Sequence, residues 1–331
     1  METPSNGDGV RVRRFDADRQ DQVTTLDDAI RKKPSERQLL WIDITDGLEG
    51  PALDKLVDAF KLDESTRRAL ETPGEMPHLA VHGGYLHVRV AVEPNDERPS
   101  QTTWLDVIGG TNVVITHHRS PIRFLDDVDE RIQLDTSFGM LDAGTFMASL
   151  LGAAVTSYFA AVDAIEDEVD KLDSKSLRDD GRHHLLEELV LLRRRIARLR
   201  RILTNHRGVF AALASAETAL VTDNPDSRPA FEAVAGRFDA AIGAVEDSRD
   251  VLLGSFDVYM TRTAQRTNDV MKVLALATVL LLPGSLAAGL LGMNLVAPLP
   301  EDDPMSFWYV VAAVALLAVV VLVVARARRW L

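Results

Sequence analysis

The chain has 331 residues, and its 37 Lys+Arg against 50 Asp+Glu leave a formal charge of −13. That balance argues against nucleic acid as a partner, because phosphate binding needs a cationic surface. The absence of cysteine excludes disulfides, thiolate zinc sites and cysteine nucleophiles.

Residues 1–37 read as an N-terminal tail and lead-in, with residues 1–9 polar, disordered in expectation and unlike a signal peptide. Residues 38–125 read as an α/β domain. Leu39-Leu40-Trp41-Ile42-Asp43-Ile44 is a strand candidate, and the amphipathic stretch 51–60 carries Pro51 at a helix start. Two hairpins follow, one alternating over 78–92 around Gly83-Gly84, the other over 104–117 around Gly109-Gly110. Paired glycines suit such turns by tolerating positive φ. Residues 126–225 read as a helical bundle, with apolar residues at i, i+3 and i+4 over 146–172 and 184–203, separated by a turn at 178–181. One helix carries Glu166-Asp167-Glu168 and Asp170, the next Arg193-Arg194-Arg195, Arg198, Arg200 and Arg201. Such runs are solvated faces, and antiparallel pairing sets opposite signs side by side.

Residues 226–293 predict a single stalk helix of roughly 65 residues that continues into a membrane. Asp226-Ser227 caps it, Pro229 lies in its first turn, and the only later proline before Gly292 is Pro283. A helix of that length needs partners, and one pair of spans makes no pore, so an oligomer is expected. No charged residue occurs over 273–291 or 307–325, and about 19 residues is enough to cross the hydrocarbon core. The mean hydropathy of −0.01 hides this segregation. After Lys272 the only charged residues are Glu301, Asp302, Asp303, Arg326, Arg328 and Arg329, which cancel, so the whole −13 belongs to what precedes. Arg262, Arg266 and Lys272 before the first span and the arginines after the second place both termini in the cytoplasm, with 294–306 as the outer loop and 307–331 as the second span and basic end.

Within the first span Thr278 and Ser285 are seven residues apart and share a face with Thr267, Met271, Leu274 and Gly289. This stripe serves equally as a packing face between helices or as a pore lining. The span holds no ionisable group, which argues against a proton relay.

Gly292-Met293-Asn294 follows the span. Together with Thr267-Asn268-Asp269-Val270-Met271-Lys272-Val273-Leu274, with Phe256-Asp257-Val258-Tyr259 and with the basic end closing in Trp330-Leu331, it resembles the CorA family of magnesium and cobalt transport proteins. Trp41-Ile42-Asp43 and the hairpins fit that family's N-terminal domain more loosely. The resemblance implies an α+β cytoplasmic domain, a long helical stalk and two transmembrane helices, assembled as a homopentameric funnel in the cell membrane. First spans would line the pore and second spans would face lipid.

Carried across, Gly292, Met293 and Asn294 form the outer mouth, where neutral oxygens hold Mg²⁺ with its water shell intact. Glu301, Asp302 and Asp303 concentrate cations there. Met271, Leu274 and Leu282 match the hydrophobic constrictions, Thr278 and Ser285 line the pore, and Thr267 and Asn268 line the neck. Mg²⁺ is both cargo and regulator, and no organic cofactor is implied. The family's stalk aspartate for sensing Mg²⁺ falls on Ala233 here, so Glu232 and Asp257 become the candidate regulatory residues, with Asp239 a weaker third.

Beside the leading reading, a Mg²⁺ channel gated by cytosolic Mg²⁺ with Co²⁺ and Ni²⁺ as further permeants, two alternatives stay open. One is Zn²⁺ transport coupled to protons, as in ZntB-type relatives, although those usually depart from Gly-Met-Asn. His117-His118 and His183-His184 read as solvated loop or helix-end residues, not zinc ligands. A membrane-anchored scaffold or sensor is the other alternative. An enzyme is not indicated, because the chain has no phosphate loop, nucleophile motif or dense ligand cluster.

Overall fold

The computed structural model describes residues 9–16, 21–46, 48, 50–72, 74–92, 102–132, 142–178, 182–216, 226–291 and 305–327. The chain divides into two units, Met1–Leu253 and Gly254–Leu331.

The first unit is built on a seven-stranded sheet in the order β2-β1-β3-β7-β6-β5-β4. Its strands are β1 (Val10–Asp16), β2 (Gln22–Val23), β3 (Gln38–Thr45), β4 (His78–Val81), β5 (Tyr85–Val92), β6 (Thr103–Gly110) and β7 (Val113–His118). Among the described residues only β3 and β7 pair in parallel, and the other pairs are antiparallel. The sheet therefore begins well before residue 38, inside the stretch read as a lead-in. Short helices α1 (Leu26–Arg31), α2 (Pro51–Phe60) and α3 (Glu64–Glu71) follow the early strands. Leu40, Ile42 and Ile44 of β3 and Ile115 of β7 form one core with Leu53 and Leu56 of α2 and Leu70 of α3.

Alternate residues of the same strands face α5 (Ala143–Arg178), where Phe146 makes ring contacts with Phe15 and Trp41. Both faces are covered, which is why β5 is buried along its whole length and reads as an apolar run broken by His87 and Arg89. The apolar part of α5 is long enough to cross a membrane, yet more than half of it is buried inside this unit. The helical region is thus one layer of the sheet domain, because its apolar stripe has the sheet to cover.

Helix α6 (Arg182–Ala214) packs along α5, and Arg195 Nη1 lies 3.1 Å from Glu168 Oε1, as the opposed charge runs predict. Of the turn expected over 178–181, residues 179–181 lie outside the described residues, as do the side chains of His183 and His184. Helix α7 (Ser227–Leu291) has 65 residues and contains Pro283. Its start is fastened to the start of α5: Ser227 Oγ donates to Asp142 Oδ1 at 2.6 Å, and Asp142 caps α5 through the Thr145 amide. Gly144 is required at that crossing, because any Cβ there would collide with the Ser227 side chain.

Two turn expectations are corrected. Gly83-Gly84 does link β4 to β5, but neither glycine adopts positive φ. Gly109 and Gly110 belong to β6, and the β6–β7 turn is Thr111-Asn112. There Asn112 takes the left-handed conformation with φ 59°, which asparagine tolerates, and donates from Nδ2 to Ser35 O.

Candidate ion pathway

The second unit holds the C-terminal part of α7 and helix α8 (Met305–Ala327), both long and apolar enough to cross a membrane. In the apolar span of α7 after Lys272 the less exposed residues are Leu276, Leu280, Pro283, Gly284 and Ala287; in α8 they are Val310, Val314, Ala318, Val321 and Ala325. At 100° per residue the members of each set fall within about 100° of one another, so each is one stripe of a helix. The stripes face each other, since a Cβ built on Gly284 would lie 3.7 Å from Val314 Cγ1.

The predicted pathway residues lie on the other side. At 100° per residue, Thr267, Met271, Leu274, Thr278, Leu282, Ser285 and Gly289 fall on the face opposite the α8 seam, and Asn268 falls to one side. All eight are exposed. The polar members carry a definite sign. Thr267 Oγ1 donates to Thr263 O and Thr278 Oγ1 to Leu274 O, each at 2.9 Å. With the hydroxyl proton spent on the helix's own carbonyl, each side chain turns only lone pairs outward, which suits water bound to a cation. Just before the apolar span Lys272 Nζ is held by Asp269 Oδ1 at 2.8 Å.

Other expected site residues are not brought together. Glu232, Asp239 and Asp257 are exposed on α7, and Glu232 and Asp257 are too far apart along the helix for one ion to bridge both. Among the described residues no cluster of three or more His, Asp or Glu is spaced to hold a metal ion. Gly292, Met293, Asn294, Glu301, Asp302 and Asp303 lie outside the described residues.

The sheet contains a buried polar system that the sequence reading missed. Asp43 accepts from Arg11 Nη2 at 2.7 Å and from Thr116 Oγ1, while Trp41 Nε1 donates to Thr116 Oγ1 at 3.0 Å. His118 Nε2 stands 3.3 Å from Asp43 Oδ1. Burial works to raise the Asp43 pKa, but His118, Thr116 and Arg11 together hold it below the usual carboxylate range. Asp106 accepts two bonds from Arg89, at 2.8 and 2.9 Å, and one from His87 Nε2 at 2.7 Å. Its carboxylate is likewise kept ionised against burial, by His117, His87 and Arg89. His117 and His118 are therefore strand residues, each 2% exposed, and not solvated loop residues. The sequence signal was an acid set in each of two otherwise apolar strands.

His206 of α6 fastens the far end of β5. Its Nδ1–H donates to Ile202 O and its Nε2 accepts from the Ala91 amide, both at 2.7 Å, so the ring is neutral. Burial lowers its pKa below the usual histidine value. A group with a depressed native pKa stabilises the fold fully above about pH 6.5 and less as pH falls through the native value. Melting followed from pH 7.5 to pH 5 is expected to show falling stability, and His206→Gln is expected to flatten part of that slope. Equal slopes in both proteins would mean that His206 does not couple protons to folding.

The sequence profile of the family described as "CorA-like Mg2+ transporter protein" matches residues 36–326. The chain is 25% identical over 305 residues to the cobalt/magnesium transport protein CorA of Thermotoga maritima, covering 88% of this chain and 83% of that one. It is 23% identical over 285 residues to the zinc transport protein ZntB of Cronobacter sakazakii, covering 83% and 79%. Its fold matches the complete structure of the CorA magnesium transporter from Methanocaldococcus jannaschii with a TM-score of 0.75 at 20% identity, over 99% of this chain and 100% of that one. A sheet domain leading through one uninterrupted helix into a pair of apolar C-terminal helices, with a profile match from β3 almost to the last described residue, settles the kinship: the chain belongs to the family of CorA-like Mg²⁺ transporter proteins.

Proposed function

We propose that this divalent-cation transporter of the CorA family conducts Mg²⁺ into the cytoplasm through a pore lined by five copies of α7. The observation that carries the reading is the opposition of two stripes on that helix. One stripe is taken up by α8, and the other, with threonine lone pairs facing outward and no ionisable side chain, is left for further copies. Neutral oxygens suit Mg²⁺, which dehydrates reluctantly and crosses most readily with its water shell. Gly292, Met293 and Asn294 form the mouth, and Glu301, Asp302 and Asp303 raise the local cation concentration. Thr267 and Asn268 shape the inner neck. Met271, Leu274 and Leu282 close the path by dewetting, with Thr278 and Ser285 as the wet rings between. Internal Mg²⁺ bound between copies, at Glu232 and separately at Asp257, favours the closed state, since it neutralises acidic surfaces that otherwise repel.

The similarity to the zinc transport protein supports a second reading, proton-coupled Zn²⁺ movement. Uptake into proteoliposomes separates the two. Mg²⁺ entry without a pH gradient, matched or exceeded by Co²⁺ but not by Zn²⁺, is expected. Zn²⁺ entry that needs a pH gradient would replace the magnesium reading. In the same vesicles loaded with high Mg²⁺, Leu282→Ser and Glu232→Ala/Asp257→Ala are each expected to raise resting uptake several-fold. No rise in Leu282→Ser would make the stripe a packing face, and none in the double variant would move the sensor elsewhere.

A further inference from the structure

A cavity of about 610 Å³ lies where β6 begins and β7 ends, closed on one side by α6. Its lining is cationic in a chain that is acidic overall. Arg198 and Arg201 of α6 and Arg119, just past β7, all border it, against one rim carboxylate, Glu75. Arg198, Arg201 and Asn205 are spaced i, i+3 and i+7, so one helix face presents all three. Among the described residues neither Arg119 nor Arg201 is ion-paired. The neighbouring Arg195, by contrast, is taken up by Glu168. The basic run of α6 is thus divided between pairing with α5 and lining a cavity.

Two further features mark a built site. His117 borders the cavity and is 2% exposed; its Nδ1 faces the Asp106 carboxylate, and its Nε2 is buried without a hydrogen-bond partner. The other carboxylate there, Asp106, is occupied by Arg89 and His87 and stands 3.7 Å from His117 Nδ1. Unpaired capacity in a buried polar group is costly unless something meets it. The wall beside it is aromatic: Trp104 stacks on His206 with ring centroids 5.9 Å apart and planes 16° apart. A cavity of this size holds a molecule with several groups, and planar guanidinium forks match tetrahedral oxyanions.

We propose that this cavity binds a small phosphate-bearing anion, its phosphate oxygens held by Arg201 and Arg119. Neither the pore nor the identity of the transported metal enters the argument. The bound anion would bridge the sheet to α6 beside His206, the contact through which α6 holds β5.

The test is titration calorimetry on the full-length protein in detergent with EDTA present, using pyrophosphate and, separately, ATP at constant ionic strength. Saturable binding is expected, and Arg201→Gln is expected to weaken it about tenfold or more, the effect of losing a charge-assisted hydrogen bond. Arg200→Gln, an exposed arginine of the same helix outside the cavity, is expected to leave it unchanged. Tighter binding of ATP that falls to the pyrophosphate level in Trp104→Leu would identify a nucleotide. Equal affinity would identify the phosphate group alone. Absence of binding in the wild type, or equal loss in Arg200→Gln and Arg201→Gln, would overturn the proposal, the latter by showing general charge attraction.

Discussion

Asp106→Asn is expected to lower the melting temperature of the sheet domain by about 10 °C. Asp106 is 1% exposed, and its carboxylate is the counter-ion of Arg89, 4% exposed, and of His87. Removing one partner of a buried ion pair costs about 3–5 kcal/mol, because the remaining charge stays desolvated without compensation. For a domain of this size each kcal/mol moves the midpoint by about 2–4 °C. Arg89 also donates to Ala69 O and Gly74 O, so the guanidinium is anchored and cannot swing out to water. The double variant Arg89→Met/Asp106→Leu separates two origins of the effect. If the loss comes from a stranded charge, the double variant melts well above Asp106→Asn, since apolar replacement of a whole pair is often close to neutral. If it melts as low, shape and the bonds to α3 matter more than charge. Near-ultraviolet circular dichroism of the full protein follows the transition through Trp41 and Trp104.

The long helix was the most legible feature, because its evidence is local. A cap at Asp226, Pro229 in the first turn and a run free of other breakers define an element that ends at Leu291. The strand at 39–44 and the Gly83-Gly84 hairpin were legible for the same reason. β1 was not. Its sequence, Val-Arg-Val-Arg-Arg-Phe-Asp, looks like a charged tail until its partners are known. Arg13 is bonded to Asp129, 116 residues away, and Arg11 bridges Asp43 and Asp126. No window of the sequence contains such pairings, and the arginines change from solvated to structural only when α4 (Arg123–Ile132) covers that face.

The histidines failed in a related way. His117-His118 stands beside Arg119-Ser120-Pro121 and reads as a loop entrance, but a strand covered on both faces buries adjacent residues alike. On the exposed face of α7, the spacing of Thr267, Met271, Leu274 and Thr278 predicted a shared face. It could not say which face of α7 would meet α8. The seam at Leu276, Leu280, Gly284 and Ala287 is no more apolar than its surroundings, and small residues such as Ala277, Ala288 and Gly289 lie outside it as well.

Asn294→Ala is expected to reduce Mg²⁺ uptake by at least about tenfold while leaving the oligomer assembled. On the proposed reading the side-chain amide faces water at the mouth of the path and accepts hydrogen bonds from the first hydration shell of the ion. Mg²⁺ holds that shell tightly, so recognition acts through water, and each lost acceptor costs about 0.5–1.5 kcal/mol. Every copy loses the same group, so the losses compound around the ring, and about 1.4 kcal/mol in total already gives tenfold. Asn294→Gln keeps the amide but moves it outward by one methylene, and it is expected to recover only part of the flux. Asn294→Asp adds one negative charge per copy. It is expected to strengthen binding at the mouth and to slow release, since conduction needs a site that is weak enough to leave. Uptake is measured in proteoliposomes, with insertion checked by protease protection and assembly by cross-linking. Wild-type uptake by a correctly inserted and assembled Asn294→Ala would remove Asn294 from the selectivity mouth. Loss of assembly would instead assign it to packing between copies.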